Sequence, residues 1–123
     1  MNPVESHIVE AFQHLYKDFR FGEIYIHWMS DHELLELNKK HLNHDNYTDV
    51  ITFDYTRRNK ISGELFISED RTADNAKQND EPVERERNRV IAHGILHLIG
   101  FGDKTDEEKA VMRSKENEIL DRL

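Results

Sequence analysis

Residues 93–103 read HGILHLIGFGD. His93 and His97 stand four apart, so on a helix one imidazole lies above the other on the same face. Their neighbours Ile95, Leu96, Leu98 and Ile99 are apolar, and an apolar helix leaves an unpartnered polar ring costly. Two neutral imidazoles on one face can converge on a single ion, and imidazole suits Zn, Ni, Fe or Cu. Gly100 lets the backbone take a positive φ and turn sharply out of the helix. Asp103 follows three residues later and can swing back as a third ligand. Three protein ligands leave one position open for water, as in catalytic rather than structural zinc sites.

The histidine pair alone is a weak signal, because the chain holds 8 histidines in 123 residues and accidental spacings are common. Its conjunction with the glycine and the carboxylate carries the argument. The pattern H-x-x-x-H-x-x-G-x-x-D follows the metzincin-type spacing, with aspartate in the third place. Zinc proteases of that type carry a glutamate directly after the first histidine as general base. Here the position is Gly94, which disfavours peptide hydrolysis by that route. Gly94 is expected instead to clear space above the metal for a bulky substrate.

The elements that must position these residues follow from periodicity. Val4, Ile8, Ala11, Phe12, Leu15 and Phe19 repeat at helical spacing and predict a helix over 4–19. Ile24, Ile26 and Trp28 alternate and predict a strand over 23–29. Ser30 with Glu33 forms a capping box for a second helix, with Leu34, Leu37 and Leu42 toward its apolar face. Val50–Tyr55 and Glu64–Ser68 read as strands joined in a hairpin through the basic loop Thr56–Lys60, with a turn at Ser62-Gly63. Residues 67–80 (ISEDRTADNAKQND) read as a short helix or capped loop. A long buried helix runs from Val83 and ends at Gly100 and Gly102; Thr105 with Glu108 caps a last helix. The expected fold class is α+β: one domain over 1–123, with a small mixed four-stranded sheet, helices packed on it and a zincin-like metal helix.

Cysteine is absent, which excludes disulfides, thiolate metal sites and cysteine nucleophiles. A net charge of −8 counts against a non-specific nucleic-acid coat, since phosphate neutralisation needs clustered Lys and Arg. No segment reads as a signal peptide or a membrane span. The expected location is the cytoplasm, with no membrane and no DNA partner.

At HGILHLIGFGD the chain resembles the YbeY family of bacterial endoribonucleases of ribosomal RNA maturation, whose hallmark is HGxLHLxGYDH. TDVITF (48–53) resembles the family's TDVLSF, SGELFIS (62–68) its GDIVIS strand, NAK (75–77) the segment ahead of the long helix, and LNKKHLNHD (37–45) the segment before TDV. The resemblance covers nearly the whole chain in order. It implies one zinc or other divalent ion per chain, cleavage of single-stranded rRNA in small-subunit processing and ribosome quality control, and the ribosome or its small subunit as partner. Two departures stand out. Asp103 occupies the third ligand position, usually a histidine, and Leu42 occupies the position of a family arginine linked to RNA cleavage.

The developing charge of phosphoryl transfer wants cations close by. With Leu42 at the arginine position, candidates for RNA contact are Lys39 and Lys40 at the end of the second helix, and Arg57, Arg58 and Lys60 in the hairpin loop. Arg85, Arg87 and Arg89 alternate with Glu84 and Glu86 and read as a solvated helix face. His41 and His44 precede the buried strand and could approach the metal; Tyr47, Thr48 and Asp49 lie at its mouth. Asp49 suits a local turn or a hydrogen bond to a ligand histidine. Two further function classes stay open: a metal-dependent hydrolase of a peptide or small molecule, and a ribosome-associated binding protein whose metal is structural.

Overall fold

A computed structural model describes residues 2–42 and 48–123 of the chain, the side chain of Leu42 excepted. The elements are β1 (Asn2–Pro3), α1 (Ser6–Leu15), β2 (Arg20–Met29), α2 (Asp31–Leu42), β3 (Val50–Asp54), β4 (Lys60–Ser68), α3 (Glu69–Gln78), α4 (Val83–Ile99) and α5 (Asp106–Leu120). The four strands form one sheet in the order β1-β2-β4-β3. β2 and β4 are parallel, while β1 and β3 pair antiparallel at the edges. The sheet is therefore mixed and the fold α+β, as expected.

The first helix is shorter than its apolar spacing suggested. Val4 donates its N–H to the Ile24 carbonyl, and Phe19 closes a turn onto Tyr16. Both residues still pack on the core, which extends the apolar pattern beyond the helix itself. The expected turn at Ser62-Gly63 is also corrected, because both residues lie inside β4. The hairpin turns at residues 57–60, where Arg58 takes φ 56°. Gly63 serves close packing: a Cβ there would lie 2.5 Å from the Phe53 carbonyl oxygen and 3.0 Å from Leu98.

One face of the sheet, through Ile24, Ile26, Ile61, Leu65 and Ile67, joins Val90, Ile91, Ile95, Leu96 and Leu98 of α4 in the main core. Gly94 faces Leu65 and Leu98 faces Gly63, so α4 runs opposite to β4. A Cβ at Gly94 would lie 2.8–2.9 Å from the Leu65 methyls. Gly94 thus brings helix against sheet; it does not open space over the metal position, because its missing side chain points the other way.

The exit from α4 positions the third candidate ligand. Gly100 takes φ 126° and donates to the His97 carbonyl, while Phe101 N–H reaches back to the Leu96 carbonyl. These are the paired closing bonds of a Schellman turn. The chain then reverses through Asp103 into α5, whose start is held by the Thr105–Glu108 capping box.

Candidate metal centre

The structure brings His93, His97 and Asp103 together. The two Nε2 atoms are 3.1 Å apart. Asp103 Oδ2 lies 3.2 Å from His93 Nε2 and 3.4 Å from His97 Nε2. A tetrahedral ion with bonds of about 2.0–2.1 Å sets its donor atoms roughly 3.3 Å from one another. The triangle has that size.

The other ring nitrogens explain why these three atoms face each other. His97 Nδ1 lies 2.9 Å from the Phe101 carbonyl, which can only accept, so Nδ1 carries the proton. His93 Nδ1 lies 2.8 Å from Oε2 of Glu116, a carboxylate that is 4 % exposed. With Nδ1 donating in both rings, each Nε2 turns a lone pair toward the Asp103 carboxylate. Three acceptors within 3.4 Å of one another repel unless a cation, a proton or a metal, lies among them. Burial opposes charge on His93. The Glu116 hydrogen bond and charge, with Asp49 and Asp103, outweigh that and raise the pKa of the metal-free ring above its ordinary value.

Glu116 is the residue the sequence reading missed. It sits on α5 with Met112, Ile119 and Leu120, all buried and at helical spacing from it. A carboxylate on an otherwise apolar helix face was the signal. Arg89 is likewise not on a solvated face. It is 6 % exposed, and Nη1 donates to Glu116 Oε1 at 3.1 Å and Asn117 Oδ1 at 3.0 Å. It shares a helical face with Glu86, Val90, His93 and His97, and burying a guanidinium demands such partners. Arg87 instead covers the Trp28 ring at 4.2 Å, and Arg85 pairs with Glu81 at 3.5 Å.

A cavity of about 410 Å³ opens beside the triad, with His93 and Asp103 in its lining. Asn75 of α3 and its C-cap residue Asn79 line it, as do Lys109 and Arg113 of α5, together with Asp49, Glu86, Arg89 and Glu116. Asp49 lines the cavity, but the hydrogen-bond partner of His93 Nδ1 is Glu116. None of Lys39, Lys40, Arg57, Arg58 and Lys60 lines it. Lys39 and Lys40 border a separate groove with His41, and Lys60 borders a third depression with Tyr55 and Glu64. His41 lies edge-on to Phe53, and Thr48 Oγ1 donates to the Val50 carbonyl. His44 and Tyr47 lie outside the described residues. Leu42 closes α2, and its side chain lies outside them as well.

The family model for endoribonuclease YbeY matches residues 2–123. The chain is 50 % identical over 101 residues to endoribonuclease YbeY of Phocaeicola vulgatus, covering 82 % of this chain and 73 % of that one. It is 50 % identical over 99 residues to endoribonuclease YbeY of Flavobacterium johnsoniae, covering 80 % and 71 %.

This chain belongs to the endoribonuclease YbeY family.

The solution structure of TM1509 from Thermotoga maritima superposes with a TM-score of 0.63 at 25 % identity, over 94 % of this chain and 77 % of that one. That agreement supports the α+β topology. Within the YbeY framework, the hydrogen bonds described above show what holds the histidines. Glu116 arrives from α5 and the Phe101 carbonyl from the turn after α4, so both depend on how the chain folds back after Gly100.

Proposed function

We propose that this chain is a metal-dependent endoribonuclease that cuts single-stranded RNA in small-subunit rRNA maturation and ribosome quality control. In this reading it works in the cytoplasm on the ribosome, with one zinc ion held by His93, His97 and Asp103. The observation that carries the reading is the triangle of three potential donor atoms at tetrahedral spacing, in a chain of the YbeY family. The donor set fits the ion: two imidazoles fixed by hydrogen bonds at their far nitrogens, and one carboxylate. Such an ion supplies Lewis acidity toward a phosphoryl oxygen and toward water.

The chain's own residues do the positioning. Glu116 and the Phe101 carbonyl keep both Nε2 lone pairs directed to one point. Asp103 brings a negative charge where the family usually has a neutral imidazole, so the ion acts as a weaker acid than with three histidines. Among the described residues no helix is long and apolar enough to cross a membrane, in keeping with a ribosomal site of action.

The test uses protein purified without a metal-affinity column. Elemental analysis is expected to find one divalent ion per chain. Single-stranded RNA is expected to be cut, chelator to stop the cutting, and His97→Ala to lose both the ion and the activity. Casein is expected to stay intact. Intact RNA despite a full metal complement overturns the reading in favour of a structural metal, and chelator-sensitive casein cleavage overturns it in favour of a peptidase.

A further inference from the structure

The cavity beside the triad has a polar lining that the metal does not account for. Asn75 of α3 and Asn79, the C-cap residue that follows it, are four apart, and the Asn79 N–H bonds to the Asn75 carbonyl; Lys109 and Arg113 are four apart and share one face of α5. Lys109 is exposed and makes no ion pair among the described residues. The Arg113 side chain is half exposed and lies 3.7 Å from Glu116. On the inner wall, Glu86 is 5 % exposed; its Oε1 lies 3.8 Å from Arg89 Nε but receives no hydrogen bond. Protein interiors rarely leave such an oxygen without a hydrogen bond unless a ligand or a function explains it.

The lining also answers a question the sequence raised. Leu42 stands at the position the resemblance assigns to the family arginine, and the five cations expected as RNA contacts do not line this cavity. Lys109 and Arg113 do. Acidic groups slightly outnumber basic ones in the lining, and a divalent ion on the triad reverses that balance. A volume of about 410 Å³ lies within the ordinary range of small-ligand sites, roughly 300–1,000 Å³, and accommodates one nucleotide.

We propose that this cavity is a nucleotide subsite, in which Lys109 and Arg113 hold the phosphate adjacent to the scissile one and Asn75 and Asn79 hold the ribose or base edge of the same nucleotide. Amide side chains both donate and accept, which matches a ribose hydroxyl or a base edge. Cations on an open wall match a phosphate that enters from solvent. The inference rests on the endoribonuclease reading and adds to it the residues that grip the strand next to the metal.

The test compares metal-loaded wild type with Lys109→Ala/Arg113→Ala. Lys17→Ala/Lys115→Ala removes the same charge away from the cavity and serves as control. Binding of a short phosphorothioate single-stranded RNA, which resists cleavage, is followed by anisotropy over a range of salt. Cleavage of ordinary RNA gives kcat and KM, and elemental analysis gives the metal content. The expected result is an affinity about tenfold weaker for the cavity variant, with a salt slope lower by about 0.7, the value for one single-strand phosphate contact. KM rises by a similar factor, the metal content stays at the wild-type level, and the control behaves as wild type. Lys109→Ala alone, at an exposed position, is expected to give part of the loss. Wild-type affinity and slope in both cavity variants, with wild type cutting RNA, overturn the subsite and leave the endoribonuclease reading standing. A metal-loaded wild type that neither binds nor cuts RNA overturns both.

Discussion

Glu116→Gln keeps the size and removes the charge of the carboxylate that joins His93 to Arg89. Its two oxygens accept from His93 Nδ1 at 2.8 Å and from Arg89 Nη1 at 3.1 Å. A glutamine offers one oxygen and one NH2 group, so whichever way it turns, one of those two donors meets another donor. Removing one partner of a buried ion pair costs about 3–5 kcal/mol. Arg89 keeps Asn117 at 3.0 Å and Glu86 at 3.8 Å, so the expected loss for metal-free protein is nearer 2–3 kcal/mol. A second loss falls on the metal site. Removing the outer partner of a ligand histidine typically weakens metal binding about 10–100-fold, or roughly 1.4–2.7 kcal/mol. Urea unfolding of metal-free protein reads the first as a lower midpoint at unchanged slope. Competition with a chromophoric chelator for zinc reads the second. A variant with the wild-type midpoint and the wild-type zinc affinity would refute the assignment of Glu116 as the group that holds His93. A lower midpoint with unchanged affinity would confine Glu116 to the fold.

Gly94→Ala is expected to destabilise by about 1–3 kcal/mol through overpacking against Leu65. The additional change Leu65→Val is expected to restore part of that, read as non-additivity in a thermal-melt cycle. Thr105→Ala removes the acceptor of the Glu108 N–H at 3.0 Å and is expected to cost about 1 kcal/mol, a drop of about 3–5 °C in Tm. The metal-free protein has a raised His93 pKa, so the folded state binds this proton more tightly than the unfolded chain. That contribution is complete below the ordinary imidazole value of 6.5 and is lost as pH rises through the folded value. Urea midpoints of chelated protein are therefore expected to fall from mildly acidic to mildly alkaline pH, with a smaller fall in His93→Gln.

Particular residues show how far the pattern of amino acids carries. The capping boxes Ser30–Glu33 and Thr105–Glu108 are both present in space, because a cap is made by residues three apart. The long helix and its exit at Gly100 follow from apolar spacing and from the one residue type that accepts φ 126° readily. The bounds of α1, the place of Gly63 and the orientation of Gly94 were misjudged for a common reason. An apolar residue at a helix end, or a glycine inside a strand or helix, takes its meaning from what packs across from it, and periodicity does not say what that is.

The sequence by itself determined which three side chains could share an ion, since His93, His97 and Asp103 lie within eleven residues on one helix and its turn, and local geometry brings them together. Only the tertiary structure decided what holds and surrounds them. Glu116 comes from 23 residues beyond His93, Arg89 is buried rather than solvated, and α5 brings Lys109 and Arg113 to the cavity beside the site. The physical reason is one of range. Helix pitch and turn conformation act over a few residues and can be read from spacing, whereas the partner of a buried charge is set by which helix packs across from it.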